Sequence, residues 1–273
     1  HWKFLPVLEV ESGRTVSAPR NWFKKLSEFN GSSAGNTDAE SVLQGACELV
    51  ERHVCCIIDE AREPVPSIDF GSIEDDILKG LLARFTHNGI IVLLKDFSLD
   101  MPVPTVAALA YDPATFPDTS EIVYTAGSAA SPEKAAIRAL TEVAQLAGDF
   151  NSGACYEASG LPKYASFKDI KWLQEGASIA LESLPSILAD DFLDELMALA
   201  RGLGEKGYKL YSIATTNPHT GVPSHYSFVA GFRFRERDKN ASVGLFVRRI
   251  LVEEKPDDVA EAGLAELEKL YPG

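Results

Sequence analysis

The sequence predicts an α+β fold in which antiparallel or mixed sheets carry helices around a central cleft. Apolar runs of strand length alternate with amphipathic helical periods along the chain. Two runs of small residues each lead into a helix with a polar face. The chain has no GxxxxGK[ST] motif, and no GxGxxG with an acid at the expected distance beyond it, so neither a P-loop nor a Rossmann architecture is expected.

The elements follow from apolar runs and the turn residues that bound them. Strands are predicted at Phe4–Val10, Val54–Ile58, Ile90–Lys95, Pro104–Tyr111, Glu121–Thr125, Tyr208–Thr215, Tyr226–Arg235 and Gly244–Leu251. Helices are predicted at Ala39–Arg52, Ile73–Phe85, Ile170–Ser183, Leu188–Leu203 and from Pro132 to about Gln145. Thr37 or Asp38 is a suitable N-cap for the first of these helices, and Pro132 suits the first turn of the last.

The first motif begins with a loop of small residues, Asn30–Asn36. Without bulky side chains, its backbone N–H groups can approach an anion closely. On the helix that follows, Glu48 and Glu51 are three residues apart and Gln44 lies one turn before Glu48, so the three share a face. Two carboxylates at this spacing suit Mg²⁺, which prefers oxygen ligands. A Glu-x-x-Glu-Arg sequence also fits a solvated face with an ion pair, so the motif alone leaves both interpretations open.

The second motif, Thr125–Gln145, repeats this arrangement of small residues followed by a helix. Aligning Glu142 with Glu48, 94 residues earlier, superposes the polar positions of the two helices; the match indicates either a duplicated strand–helix unit or chance. Both polar faces are flanked by apolar residues, which predicts partial burial, and a buried carboxylate without a cation is costly. The candidate metal ligands are therefore Glu48, Glu51, Glu142 and Gln145.

These two blocks resemble the YcaO domain family, whose members carry a small-residue loop before E-x-x-E-R and, later, an R-A-L-x-E-x-x-Q helix. The matching segments here are Glu48–Arg52 and Arg138–Gln145, and the resemblance extends roughly from Trp2 to Pro256. It implies a YcaO-like domain at residues 1–256 that binds ATP and Mg²⁺. It also implies that the γ-phosphate activates a peptide backbone amide oxygen for attack by a nucleophile, as in thioamide formation or cyclodehydration.

The resemblance also implies a phosphate contact by Arg248, because a Val-Arg dipeptide common in the family matches Val247-Arg248. The backbones of Ser32–Gly35 and Gly127–Ala130 would hold phosphate together with two arginines. The residues expected to contact the nucleotide are Ser32, Ser33, Ala34, Gly35, Gly127, Ser128, Arg138 and Arg248. Implied partners are a peptide or protein substrate, a partner protein and a second copy of the chain in a homodimer.

The sequence departs from the family pattern in two features that bear on the expected reaction. The basic Q-x-R segment that many family members have after the second helix is absent here. Azoline-forming members typically end in a proline-rich tail, whereas this chain continues into an amphipathic helix predicted at Asp257–Leu270. We expect residues 257–273 to begin an appended helical region of a longer protein. The chain is therefore expected to lie outside the azoline-forming group. The alternative function is a non-catalytic ATP-binding accessory factor, and a third is a structural domain without ligand.

Composition limits the remaining function classes. The chain has 26 Lys and Arg against 40 Asp and Glu, a net charge of −14, which argues against nucleic acid as a partner. It shows no apolar run of membrane-span length and no signal peptide. The four cysteines lack zinc-ligand spacing and are expected to be buried reduced thiols, which is typical of a cytoplasmic protein.

Overall fold

The computed structural model describes residues 4–19, 23, 29–146 and 163–234. The strands are β1 (Phe4–Glu9), β2 (Arg14–Pro19), β3 (Ser32–Ala34), β4 (Ser67–Ile68), β5 (Ile91–Asp96), β6 (Thr105–Tyr111), β7 (Ile122–Ser128), β8 (Lys163–Tyr164), β9 (Ser178–Ile179), β10 (Leu210–Ala214) and β11 (Ser224–Val229). The α-helices are α1 (Asp38–Ala61), α2 (Asp76–His87), α3 (Pro132–Leu146), α4 (Lys171–Gln174) and α5 (Phe192–Glu205). Short 3₁₀ turns lie at Phe70–Ser72, Phe167–Ile170 and Leu181–Ser183.

The described strands form two sheets. Sheet A has the order β2-β1-β10-β11-β3, with every neighbouring pair antiparallel. Sheet B has the order β8-β7-β6-β5-β4-β9, in which only the β4–β9 pair is parallel. The predicted α+β class with antiparallel and mixed sheets is confirmed.

Helix α1 lies between the two sheets. It packs against β11 and β3 of sheet A on one side and against β7 and β6 of sheet B on the other, with α5 alongside. Helices α2 and α3 cover the opposite face of sheet B. Alternation along β6 produces this division, because Ala107 and Leu109 face α1 while Val106 and Ala108 face α3.

The predicted strand at Val54–Ile58 is wrong, because these residues continue α1 to Ala61. Thr37 caps the helix start, and its hydroxyl oxygen accepts a hydrogen bond from the Glu40 N–H. The helix is buried on several sides, so Val54–Ile58 form a continuous apolar run without the 3.6-residue period. A buried helix and a buried strand then have the same apolar pattern.

The predicted helix at Ile170–Ser183 is also wrong beyond its first turn. Only Lys171–Gln174 are α-helical, and Ser178–Ile179 form strand β9 on the edge of sheet B. Gly176 has φ +121°, and a Cβ there would lie 2.0 Å from the Val65 carbonyl oxygen, so the backbone turns away from the helix at this glycine.

Most other element predictions for described residues are confirmed to within a few residues at the element ends. The strand predicted at Tyr226–Arg235 is wrong in its second half, because β11 ends at Val229. Cys47, Cys55 and Cys56 are buried free thiols, as expected. The strand expected at Gly244–Leu251, Cys155 and residues 257–273 lie outside the described residues. Of the described helices, none has both the length and the apolar surface needed to cross a bilayer.

Glycine allows α1 to approach strand β3 closely. A Cβ at Gly45 would lie 2.7 Å from the Ser33 hydroxyl oxygen and 2.8 Å from the Gly31 carbonyl oxygen. Gly31 has φ +82°, a conformation that non-glycine residues rarely adopt. The start of α1 and the chain before β3 are therefore packed backbone against backbone.

This packing predicts opposite effects for the same substitution in two helices. Gly45→Ala is expected to lower the free energy of unfolding by about 1 to 3 kcal/mol, because the added methyl group overlaps the Gly31 carbonyl. Gly80→Ala in α2, where a Cβ meets no atom within 4 Å, is expected to raise it by about 1 kcal/mol through helix propensity. Urea unfolding of both variants measures the difference, and stabilisation by Gly45→Ala would contradict the packing described here.

Candidate functional site

Both motif helices bind the main chain of Ser128, the last residue of β7. The Ser128 N–H donates to Glu51 Oε2 of α1 at 3.1 Å. The Ser128 carbonyl oxygen accepts from Arg138 Nη1 of α3, also at 3.1 Å. One strand end therefore holds a carboxylate from one helix and a guanidinium from the other.

Arg138 also joins the two helices directly, since its Nη2 donates to Gln44 Oε1 of α1. Helices α1 and α3 cover opposite faces of sheet B, so this contact passes around the end of β7. We call the four residues Gln44, Glu51, Ser128 and Arg138 the Ser128 clamp. A carboxylate and an amide from α1 thus meet an arginine that lies 94 residues beyond Gln44 in the sequence.

The close fit of α3 on β7 holds Arg138 in position. A Cβ at Gly127 would lie 2.5 Å from the Ala135 carbonyl oxygen and 2.7 Å from the Ala139 nitrogen. The Thr125 hydroxyl donates to the Ala139 carbonyl oxygen at 2.7 Å. The small residues before α3 therefore let the helix lie directly on the strand.

Three carboxylates interact at this junction. Glu51 is buried, whereas Glu48 and Glu142 are half-buried. Burial raises the pKa of Glu51 to about 7 against the opposing effect of Arg52, and the negative charges of Glu142 and Glu48 raise it further. The predicted convergence of two acidic helices is therefore present in the structure.

Glu51 and Glu48 are also anchored. Arg52 Nη2 lies 3.5 Å from Glu51 Oε1. Glu48 Oε2 accepts a hydrogen bond from the Gly31 N–H at 2.9 Å, which ties the carboxylate to the chain before β3. A carboxylate has several acceptor positions, so the hydrogen bond from Gly31 does not preclude a metal contact by Glu48.

The donor set suits Mg²⁺, which takes oxygen ligands and is usually held by one or two carboxylates together with phosphate oxygens and water. Within the described ranges, no three His, Cys, Asp or Glu side chains form a closed cluster at metal-ligand spacing. Gln145 is exposed on α3, three residues beyond Glu142.

The first small-residue segment is a strand where the sequence predicted a loop. Ser32–Ala34 form β3, which pairs antiparallel with β11 in a register that places Ser33 opposite His225. The N–H groups of Gly31 and Gly35 donate to Glu48 and to the Pro223 carbonyl oxygen. Antiparallel pairing directs the Ala34 N–H away from β11, toward the edge of sheet A. Ser32 and Ala34 are exposed there.

The second small-residue segment is also largely strand. Gly127 and Ser128 are the last residues of β7, and Ala129 and Ala130 are buried beyond it. The Ser128 hydroxyl is hydrogen-bonded to the Thr105 hydroxyl on β6. Arg248 lies outside the described residues.

Reasoning from sequence missed one acid near the site. Glu195 on α5 is buried, and its charge, with that of Glu51, adds to the burial that raises the pKa of the Cys47 thiol to about 12. Glu195 lies four residues before Leu199 on the apolar stripe of α5. An acid on an apolar stripe is the signal that could have identified it.

Comparison with known proteins identifies the family. Residues 1–233 match the sequence profile of the YcaO cyclodehydratase family, described as ATP- and Mg²⁺-binding. The chain belongs to the YcaO family. The expectation of ATP and Mg²⁺ as cofactors is confirmed at the level of this family. An uncharacterized protein of Methanothermobacter thermautotrophicus is 30% identical over 205 residues, 72% of this chain and 53% of that protein.

Solved YcaO structures share the fold. The heterocyclase TruD superposes with a TM-score of 0.70 at 22% identity, over 86% of this chain and 35% of TruD. YcaO from Methanopyrus kandleri, solved with AMPPCP and Mg²⁺, superposes with a TM-score of 0.67 at 23% identity, over 84% of this chain and 64% of that protein. The chain thus spans about half of the curated relative and between a third and two thirds of these structures.

The Ser128 clamp predicts energetic coupling between the motif helices. In a double-mutant cycle of Gln44→Ala and Arg138→Ala, the free energies of unfolding should differ from additivity by about 1 kcal/mol, because each substitution breaks the same interhelical hydrogen bond. Arg84→Ala on α2, an exposed arginine on another helix, replaces Arg138→Ala in the control cycle and should be additive. Additivity in both cycles would show that the helices are not coupled.

The raised pKa of Glu51 predicts that Glu51→Gln increases the free energy of unfolding by an amount that depends on pH. Because the folded pKa lies above the ordinary value of 4.5, ionisation destabilises the folded state progressively as pH rises from about 4.5 to 7. Glutamine keeps an acceptor for the Ser128 N–H without the charge. In Mg²⁺-free buffer the variant should exceed the wild type in free energy of unfolding by on the order of 1 to 3 kcal/mol at pH 8 and by much less near pH 4.5.

Urea unfolding with chelator present measures this difference at both pH values. The control Glu60→Gln removes an exposed carboxylate from the same helix and should bring no such gain. A Glu51→Gln protein that is less stable than the wild type at both pH values would contradict the electrostatic interpretation.

Proposed function

We propose that this protein is an ATP- and Mg²⁺-dependent enzyme that activates a peptide backbone amide for attack by a nucleophile. The observation that supports it is the junction of the three carboxylates and Arg138 at Ser128. Carboxylate oxygens that repel one another in a partly buried site are stabilised by a divalent cation, and a neighbouring guanidinium suits phosphate. Family membership supports the same pair of cofactors.

In this proposal Glu48, Glu51 and Glu142, with Gln145 at the exposed rim, hold Mg²⁺. Arg138 approaches the site from the opposite side of β7 and contacts phosphate while it keeps its hydrogen bond to the Ser128 carbonyl. The exposed edge of β3 around Ser32 and Ala34 borders the phosphates. The proposed contacts of Ser33, Gly35, Gly127, Ser128 and Arg248 with the nucleotide follow the sequence expectation.

The chemistry supplied by bound ATP is transfer of its γ-phosphoryl group to the amide oxygen, after which a nucleophile displaces phosphate. An amide oxygen is a poor leaving group until it is phosphorylated, and charge on the phosphates must be neutralised during transfer. The residues of this chain contribute position and electrostatics: the carboxylates fix the cation, and Arg138 stabilises negative charge.

The proposal includes the reaction class and the partners. The reaction class is activation of a backbone amide for a nucleophilic modification such as thioamide formation or cyclodehydration. The substrate is a peptide or protein segment, and a partner protein or a second copy of the chain completes the assembly. The protein acts in the cytoplasm, in keeping with three buried reduced thiols among the described residues.

The metal ligands are tested by nucleotide binding. Mg-ATP should raise the melting temperature of the wild type, and neither ATP with chelator nor Mg²⁺ alone should do so to the same extent, because the ion and the phosphates share ligands. Glu48→Gln, Glu51→Gln and Glu142→Gln should each weaken Mg-ATP binding by about tenfold or more in calorimetry, since each removes a charged ligand.

Glu133→Gln in the first turn of α3 is the matched control and should bind Mg-ATP as the wild type does. Glu51→Gln separates ligand loss from misfolding, because the same variant is expected to be more stable without ligand. Equal ATP affinity without Mg²⁺ and in all three variants would remove the enzymatic proposal and leave a nucleotide-binding accessory protein.

A further inference from the structure

An exposed apolar patch lies at the start of α5. The side chains of Leu188 and Leu193 are each 56% exposed, and Phe192 is 41% exposed. Farther along the helix, Leu196 and Leu199 are buried in the core that contains α1. Helix α5 therefore covers α1 with its later turns and presents apolar side chains to solvent at its first turn. Clustered exposed apolar side chains are typical of an interaction site.

The patch lies in an acidic segment. Residues 172–200 contain six Asp and Glu and no Lys, Arg or His. Asp190 and Asp194 are exposed beside the apolar side chains. Asp191 has a structural role, because its carboxylate caps α5 by accepting from the N–H groups of Leu193 and Asp194. Two exposed carboxylates thus remain at the surface among three apolar side chains.

The patch adjoins the candidate site through the main chain. The Ile187 N–H donates to the Ala130 carbonyl oxygen at 2.9 Å, and the Ser186 hydroxyl donates to the same oxygen at 3.2 Å. Ala130 is two residues beyond Ser128, the residue at the centre of the Ser128 clamp. The segment that leads into the patch is therefore fastened to the chain just beyond the strand end where Glu51 and Arg138 meet.

We propose that this surface, which we call the α5 patch and define as Leu188, Asp190, Phe192, Leu193 and Asp194, binds a segment of the substrate that combines apolar and cationic side chains. The inference rests on the proposed function for the claim that the bound segment belongs to the substrate. Charge complementarity selects the occupant: carboxylates around an apolar centre favour a partner with Lys or Arg around an apolar centre. The patch holds such a segment next to the site where the amide reacts.

A second copy of the chain is a poor occupant of the same patch. A two-fold interface places the same surface of each chain against its copy, so the aspartates of one patch would face those of the other. Each chain also carries a net charge of −14. Like charges brought together at an interface oppose association.

The probe is a fluorescein-labelled peptide of about twelve residues built from Leu, Lys and Gly, with two counterparts in which Glu replaces Lys or Ser replaces Leu. Fluorescence anisotropy with the full chain should show binding of the Leu-Lys peptide and at least tenfold weaker binding of both counterparts. Asp190→Asn with Asp194→Asn, and separately Phe192→Ser with Leu193→Ser, should each weaken binding by about tenfold, because one pair removes the attraction and the other the apolar contact.

The matched control is Glu63→Gln with Asp118→Asn, which removes two exposed carboxylates elsewhere and should change peptide affinity by less than about twofold. Equal weakening by the control pair would overturn the proposal, because binding would then follow net charge. Self-association in sedimentation velocity that disappears with Phe192→Ser and Leu193→Ser would overturn it in favour of a second copy.

Mg-ATP binding measured on the same variants separates this inference from the proposed function. The α5 patch variants should keep the thermal shift with Mg-ATP, since the patch contains no proposed nucleotide ligand. Peptide binding that depends on the patch in a protein without Mg-ATP binding would retain the docking surface and remove the enzymatic proposal. Mg-ATP binding without patch-dependent peptide binding would keep the enzymatic proposal and remove the docking surface.

Discussion

The arrangement of the site depends on the two hydrogen bonds made by the main chain of Ser128. Helices α1 and α3 lie on opposite faces of sheet B, and a sheet between two helices would normally keep their side chains apart. The strand end removes that barrier, because Arg138 can reach around it to Gln44. Glu51 and Arg138 bind the N–H and the C=O of one residue, which sets the position of each helix relative to the other.

The position of Glu51 has an electrostatic cost that a bound cation would offset. The clamp brings Glu51 into a buried setting near two further carboxylates. Burial raises the pKa of Glu51 most, and repulsion from Glu142 and Glu48 raises it further. Arg52 and the Ser128 N–H offset only part of that cost. A protein that retains such a group at the expense of stability commonly does so for function. A divalent ion would reverse the sign of the interaction among these carboxylates.

The sequence was sufficient for the two motif helices and for most strands, because caps, turn residues and apolar runs are local signals. It was insufficient where burial on all sides removed the periodicity, as at Val54–Ile58. From the small residues around Gly31 and Gly127 it predicted the close approach of an anion to the backbone. In the structure the neighbours are Ser227 and Leu49 at Gly31 and α3 at Gly127, so the same small residues that suggested a phosphate loop serve protein packing.

The alignment of the two motif helices at an offset of 94 residues conceals an asymmetry that only the packing reveals. Glu51 and Gln145 occupy equivalent sequence positions, yet Glu51 is buried between two sheets and Gln145 is exposed at the rim of a helix that covers one face. A carboxylate interacts more strongly with a cation in a buried setting than at an exposed one, where water screens the charge. In the proposed site the buried helix therefore supplies the more strongly interacting carboxylate, and the outer helix supplies the arginine and Glu142, so the two motif helices would contribute different chemistry.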